Sequence, residues 1–263
     1  MPTPKPGPQS DRPDIDVMSM LSHQLSTPLA AVRWYAEILR KGTLTTPLND
    51  TQLQFVDEIL NGAIRMGELV EDVHNVSRLD RDKYTDDPVP TDLAKLLAGD
   101  IEPLQASLTA HRQQVSFKLP PQLPALIARP SVLQMVTQNL LSNAAKYTPD
   151  AGTITVTARP ATPADVPGPG ARLAPGSRAA VPGPAAYLSV TDTGYGIPTA
   201  QQDRLYEQFF RADNVRALGI PGSGLGLYIV ARATAKLGGA AWITSTENHG
   251  TTACVVLPQA HKS

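Results

Sequence analysis

Three short patterns in the C-terminal half carry residue types suited to a phosphorylated ligand. In SVLQMVTQNLLSNAAKY (131–147), Asn139 and Asn143 stand one helical turn apart and Lys146 three residues further, so all three share a narrow stripe. An amide oxygen is a hard ligand for Mg²⁺, which keeps several waters and takes its other ligands from substrate phosphates. Lysine adds a point charge for the phosphates themselves. An ordinary amphipathic helix with a solvated polar face would read the same way, so this helix alone decides nothing. In VTDTGYGIP (190–198), Asp192 precedes Gly194 and Gly196, a carboxylate on a tight turn that lets backbone approach a flat ligand. A simple Asx turn is the plainer reading. In GIPGSGLGLYIV (219–230), Gly222, Gly224 and Gly226 precede a helix whose first N–H groups can cradle phosphates. That run lacks the Lys-Ser/Thr ending of a P-loop, and no strand leads straight into it as a dinucleotide-binding fold requires.

The elements around these patterns fall into two textures. From Ile15 to Lys41, Met18, Leu21, Leu25, Val32, Tyr35 and Leu39 recur at spacings of three and four, a heptad-like stripe. GTLTTPLND breaks it, and Asn49 and Asp50 are caps for a second helix running to about Asp80, with Val56, Ile59, Ala63, Met66, Val70 and Val73 in the same rhythm. A lone hairpin cannot cover both apolar faces, so two would pair into a dimeric four-helix bundle; by periodicity alone a plain dimerisation module is the simpler reading. After Pro88 and Pro90, strand-like runs at 114–119, 153–158, 186–191, 240–244 and 251–257 alternate with helical segments at 94–110, 131–146 and 226–236. The expected fold is therefore an α helical hairpin followed by an α/β sandwich with a mixed sheet. Its expected divisions are a flexible tail at 1–13, a helical domain at 14–87 and an α/β domain at 88–263.

Composition narrows the class. The 263 residues suit one to two domains. With 23 Lys and Arg against 24 Asp and Glu, the net charge of −1 gives no basis for a nucleic-acid or membrane-surface partner. No apolar run is long enough to span a bilayer, and the N-terminus lacks a signal-peptide core. A single cysteine, Cys254, fits a reducing, cytoplasmic setting. Of the 25 prolines, 12 cluster at 2–13 and 160–184, the second group accompanied by glycines, which reads as a disordered Pro/Gly-rich insert at about 160–185.

The order of the patterns is far more specific than any one of them. Asn-x-x-x-Asn-x-x-Lys-Tyr, then Asp-x-Gly-x-Gly-Ile ending at Ile197, then Phe209-Phe210-Arg211, then Gly-x-Gly-Leu-Gly-Leu through Leu225, resembles the ATP-binding domain of sensor histidine kinases. That family shares its nucleotide fold with DNA gyrase, the mismatch-repair ATPase and a heat-shock chaperone. The resemblance implies that Asn143 binds Mg²⁺ with Asn139 assisting, and that Lys146 and Tyr147 line the phosphates and nucleoside. It implies that Asp192 accepts the adenine amino group and that the span from Phe209 to Gly222 is a mobile lid over ATP. Thr251 lies in NHGTT, where Asn248 replaces a common Gly, and the insert replaces a short hairpin.

MSMLSHQLSTPLAAV similarly resembles the phosphoacceptor box, His-Glu-x-x-Thr-Pro-Leu, of the largest histidine kinase class. His23 falls on the outward face of its helix, and Pro28 lacks the N–H that would bond residue 24. A neutral imidazole, available at pH 7, can attack a γ-phosphorus. The resemblance implies a homodimer that passes the phosphoryl group to an aspartate of a response regulator receiver domain. Thr27 matches the residue that positions water when such proteins dephosphorylate their partner. His74, His111, His249 and His261 have no such context.

Gln24 stands where the family has Glu or Asp as base toward the imidazole proton. Its amide oxygen can orient the ring but cannot take a proton. Two other readings therefore stay open: a kinase-impaired dimeric phosphatase or nucleotide-regulated scaffold, and a gyrase-type ATPase. Asn139 disfavours the latter, which places a water-activating Glu there. A general base contributes about a hundred- to ten-thousand-fold, so Gln24→Glu should phosphorylate faster than the parent in a radiolabelled-ATP assay. An equal or lower rate in the variant defeats this reading of Gln24.

Overall fold

The computed structural model describes residues 29–30, 32–41, 48–81, 84, 86–121, 123, 125–168, 170–178, 181 and 183–259. His23, Gln24 and Thr27 lie outside the described residues. The chain divides into two compact units, Met1–Ser77 and Arg78–Ser263, a division ten residues before the expected start at 88.

The first unit holds helix α1 (32–40) and most of helix α2 (Asp50–Arg81). Asn49 caps α2 reciprocally: its Oδ1 accepts the Gln52 N–H at 2.9 Å, and its own N–H donates to Gln52 Oε1 at 3.0 Å. Arg40 Nε pairs with Asp57 Oδ1 at 2.9 Å, joining the two helices. Ala36, Val56 and Ala63 are buried, while Trp34, Tyr35, Phe55, Ile59 and Met66 of the same helices are exposed. Part of the apolar surface of these two helices is thus covered within the chain and part is not.

The second unit is built on a six-stranded mixed sheet. Its strands are β2 (Gln114–Lys118), β4 (Thr153–Pro160), β5 (Arg172–Leu173), β6 (Ala185–Asp192), β7 (Ala240–Thr246) and β8 (Gly250–Pro258), in the order β2-β4-β6-β8-β7-β5. Among the described residues only β2 and β4 pair in parallel; the other pairs are antiparallel. A small ribbon pairs β1 (Val89–Thr91) with β3 (Leu126–Ala128). Strand alternation separates two faces. Ile154, Val156, Leu188, Val190 and Val255 share one, by register, with α5 (Pro130–Tyr147) and α7 (Gly226–Lys236) packed on β6 and β7. Tyr187, Trp242, Cys254 and Val256 belong to the other, where Ala161, Ala171 and Val181 of the insert cover them.

Two readings of the sequence change here. The expected helix 94–110 is broken into α3 (Leu93–Ile101) and α4 (Gln105–Ala110) by a 3₁₀ turn, Glu102–Leu104, because Pro103 cannot donate to the preceding turn. Within the insert, expected without structure, Arg172–Leu173 add an edge strand against Trp242–Ile243 of β7.

The helix carrying Asn139, Asn143 and Lys146 is held at both ends. Pro130 opens α5, and a carboxylate distant in sequence caps it: Asp86 Oδ2 accepts the Ser131 N–H at 2.8 Å and Oδ1 the Ser131 hydroxyl at 2.7 Å. Burial opposes ionisation of Asp86, but these bonds outweigh it and lower its pKa. On α3, buried Asp100 accepts Thr137 Oγ1 at 2.5 Å and Gln134 Nε2 at 3.1 Å. A lost helix cap costs about 1 kcal/mol. Asp86→Ala should therefore lower the stability of the second unit by about that amount, read as a lower urea midpoint with an unchanged m-value.

Candidate functional site

α5 gathers the three patterns. At its C-terminal end the carbonyl of Tyr147 accepts the Tyr195 N–H at 3.1 Å, tying the Asp192-x-Gly turn to the helix. Gly194 is packed so closely that a Cβ there would lie 2.3 Å from that carbonyl oxygen and 2.6 Å from Asp192 Oδ1. Gly196, at φ +59°, would put a Cβ 1.9 Å from the Thr246 carbonyl oxygen. Both glycines are thus sterically required, and not merely permissive of the turn. Ile197 lends its carbonyl to Gln202 Nε2 at 2.9 Å.

Asp192 ends β6, 8% exposed. Its Oδ1 accepts the Gly194 N–H at 2.8 Å and the Thr251 N–H at 3.1 Å, and among the described residues Oδ2 takes no such bond. Burial pushes the Asp192 carboxyl up to about 6, offset in part by those two N–H donors. Near neutral pH it is an ionised acceptor with one oxygen available to a ligand donor.

Further up α5, the start of α7 meets the amide pair. A Cβ on Gly226 would fall 2.8 Å from Asn139 Oδ1 and 3.4 Å from Asn143 Nδ2. Asn139 is fixed by its Nδ2 donating to the Met135 carbonyl at 2.7 Å, so the amide oxygen is the end turned toward α7. Ser223 Oγ accepts the Leu225 N–H at 3.1 Å, shaping the glycine run into the helix start, and Leu225 is buried. Among the described residues no His, Cys, Asp and Glu cluster could bind a metal. The donors beside the glycine run are amide oxygens, which fit a divalent cation shared with a ligand's phosphates.

The span between Asp192 and α7 closes the arrangement. Gly222 sits with its virtual Cβ 3.4 Å from Tyr147 Oη, 3.9 Å from Arg211 Nε and 4.0 Å from Lys146 Cδ. Burial raises the Tyr147 phenol pKa against the neighbouring Arg211 guanidinium, so it stays a neutral donor. Arg211 also donates to the Ile220 carbonyl. Phe209 is exposed and at φ +61°, and Gly224, at φ +75°, is so close to it that a Cβ would lie 2.6 Å from its carbonyl carbon. A non-glycine residue in that conformation is costly and marks a segment held by its surroundings.

Several supporting residues had no signal in the sequence: Gln202, which also donates to the Ser245 carbonyl at 3.0 Å, Ser223, Asn214 on the Gly196 carbonyl at 3.0 Å, and Tyr206. Only the loop geometry distinguishes them from other polar residues.

The burial of Asp192 couples stability to pH. Its pKa rises from 3.8 to about 6 on folding, so its contribution is most favourable below about pH 4 and is lost as the pH rises through 6. That difference corresponds to about 3 kcal/mol at pH 8. Asp192→Asn, whose Oδ1 can still accept both N–H bonds, should melt higher than the parent at pH 8, with the gap closing below pH 4. A Tm difference independent of pH would contradict this.

Comparison with known proteins identifies the family. The family model of the histidine kinase-, DNA gyrase B- and HSP90-like ATPase matches residues 128–261, and that of the His Kinase A (phospho-acceptor) domain matches residues 15–82. The chain is 28% identical to sensor histidine kinase WalK of Bacillus subtilis over 92% of this chain and 36% of that protein. It is 30% identical to the phosphate regulon sensor protein PhoR of Pseudomonas aeruginosa (82% and 43%), and 34% identical to sensor histidine kinase Hik2 of Thermosynechococcus vestitus (80% and 49%). It therefore spans between about a third and a half of these relatives. Among solved structures, full-length ShkA in complex with AMPPNP matches with TM-score 0.66 and 26% identity, over 94% of this chain and 46% of that one. Histidine kinase ThkA in complex with response regulator protein TrrA matches in fold alone, with TM-score 0.57 and 16% identity, over 93% and 61%.

Proposed function

The chain belongs to the sensor histidine kinase family, and on that premise we propose that it is a kinase core phosphorylating its own His23 from Mg-ATP. The observation that carries this reading is the convergence of Asn139, Asn143, Lys146, Asp192 and the Gly222–Gly226 run around one helix. In this reading, residues 14–87 form the dimerisation and phosphoacceptor domain and 88–263 the ATP-binding domain, with the 160–185 insert inside it.

Asp192 Oδ2 accepts the adenine amino group, while Gly194 and Gly196 leave room for the ring. Tyr147 and Arg211 line the path to the phosphates beneath Gly222, and the first N–H groups of α7 face them with the helix dipole. Mg²⁺, held by Asn143 and Asn139, would neutralise charge on the phosphate oxygens. The protein supplies mainly position and charge complementarity, as phosphoryl transfer requires. The His23 imidazole forms the N–P bond as the bond from the γ-phosphorus to its bridging oxygen breaks, releasing ADP. Gln24 orients the ring, and the imidazole proton leaves to solvent.

The partners proposed are a second copy of the chain and a response regulator receiver domain. The exposed apolar side chains of Trp34, Tyr35, Phe55, Ile59 and Met66 support the first, since that much apolar surface is costly to leave in water. ThkA's complex with TrrA supports the second. Among the described residues no helix is long and apolar enough to cross a membrane, and we assign the chain to the cytoplasm, where its nucleotide is found.

Gln24 favours a second reading: a phosphatase or nucleotide-regulated scaffold in which Thr27 positions water for the regulator's phosphoaspartate. Incubation with γ-labelled ATP separates the two. The kinase reading expects acid-labile, base-stable label on the parent and none on His23→Ala. Label persisting on His23→Ala would refute the assignment of the acceptor. An unlabelled parent that still binds nucleotide and dephosphorylates a receiver would establish the second reading.

A further inference from the structure

The insert does more than cover the far face of the sheet. Its first half is pinned by Asp165, whose carboxylate accepts both Arg159 guanidinium nitrogens at 2.6 Å, the Thr162 N–H at 2.6 Å and the Thr162 hydroxyl at 2.9 Å. Arg159 in turn stacks over the Tyr187 ring, 4.3 Å from its centroid. From there the chain crosses to the sheet edge as β5 and continues along β7. Ala174 N–H donates to the Ala241 carbonyl at 2.8 Å, Ser177 Oγ accepts the Ala241 N–H at 3.0 Å, and Arg178 N–H donates to the Gly239 carbonyl at 3.3 Å. Nearby, Gly176 lies against α7, where an added Cβ would be 3.2 Å from Ala235 Cβ.

From this fixed edge Arg172 reaches the segment that follows the Asp192 turn. Its carbonyl accepts the Tyr206 hydroxyl at 2.9 Å, and its Nε lies 2.7 Å from Asp203 Oδ1. Burial raises the Tyr206 pKa, so the phenol remains a donor at any working pH. Asp203 lies in the 3₁₀ helix Thr199–Arg204 and Tyr206 just after it, immediately ahead of Phe209–Gly222. Other ties at this root act beside it: Gln202 holds the Ile197 and Ser245 carbonyls, Gln201 exchanges two bonds with Asp213, and Arg204 pairs with Glu207 at 2.8 Å and lies over the Phe210 ring. The Glu207 and Phe210 N–H groups also close backbone turns onto the Arg204 and Glu207 carbonyls, but none of these bonds holds the Tyr206 side chain.

We propose that the insert is a brace for the nucleotide lid: β5, through the Arg172 carbonyl and the Tyr206 hydroxyl, fixes the root of Phe209–Gly222 before nucleotide arrives. This rests on the reading of that segment as a lid over ATP. A lid already ordered at its root loses less conformational freedom on binding, so the brace raises affinity without touching the reacting atoms. Asp203 is 79% exposed, and such a pair contributes little, so the weight falls on the Tyr206 bond. Tyr206 and Arg172 are thus positioning residues. They set the KM for ATP and leave the rate at saturation unchanged.

The test compares the parent with Tyr206→Phe and with a variant whose residues 162–183 are replaced by a short turn. Hydrogen exchange of 207–222 is followed in nucleotide-free protein, MgATP affinity by calorimetry, and Tm on each protein. One neutral hydrogen bond corresponds to about a two- to tenfold effect. Tyr206→Phe should exchange faster across 207–222 by about that factor and bind MgATP more weakly by a similar one. Its Tm should stay near the parent's, and its phosphorylation rate at saturating ATP should be unchanged. The replacement variant should show the same pattern more strongly, and if it does not fold, Tyr206→Phe decides alone. Unchanged exchange and affinity in Tyr206→Phe, with the parent binding MgATP, overturns the brace. A parent that binds no nucleotide overturns the ATP reading instead. Exchange across 207–222 then judges the brace by itself, and no change there overturns it.

Discussion

A carboxylate kept out of water is the constraint around which the second unit is arranged. Asp192 is held on the register that faces the helices, and its burial disfavours the charge it carries at neutral pH. Two backbone N–H groups meet Oδ1, one from its own turn and one from β8. Bringing both that close fixes the neighbouring sequence. Gly194 must lack a side chain, because a Cβ would strike both the Tyr147 carbonyl and Asp192 itself. Gly250, at φ +103°, must lack one because a Cβ would lie 2.0 Å from the Asp192 carbonyl oxygen. An arrangement that spends stability on an ionised, partly satisfied group is characteristic of sites that bind or react.

α5 converts that local constraint into a site. Its N-terminus is capped from Asp86 and its middle is bonded to Asp100, so the stripe bearing Asn139, Asn143 and Lys146 has little freedom to rotate. Gly226 allows α7 to approach within contact of both carboxamides, which joins the glycine run to the amide pair. On the other side of the sheet the insert supplies a second apolar layer over Trp242 and Cys254 and reaches round the β7 edge to Tyr206. An exposed β7 edge would be open to pairing with other chains, and β5 covers part of it.

Much of this was legible in the residues. The strand-like runs at 153–158, 186–191, 240–244 and 251–257 became β4, β6, β7 and β8 with ends shifted by at most two residues, because alternation on a half-buried sheet leaves a strong period. The helix at 131–146 is α5, and the one at 226–236 is α7. Asn49 caps α2 as its type suggests. β1 and β3 leave no mark in the residues because each is three residues long, too short for any periodicity. Pro103 was visible in the sequence, yet the flanking apolar pattern hid the break it makes. The insert misled in another way. Its composition is that of a chain without a core of its own, but it borrows one from the sheet it lies on.

The kinds of element, the order of the three motifs and the chemistry each could offer follow from the residues alone, because propensity, periodicity and side-chain type are local properties. The sequence did not contain the distances. That Asp86 caps a helix 45 residues away, that Thr251 shares Asp192 with Gly194, and that Arg172 meets Tyr206 across 34 residues were decided by tertiary structure alone. Such contacts depend on how two layers close over one another. Chain closure over that many residues leaves no local pattern, since its entropy cost is recovered only once the whole core has formed.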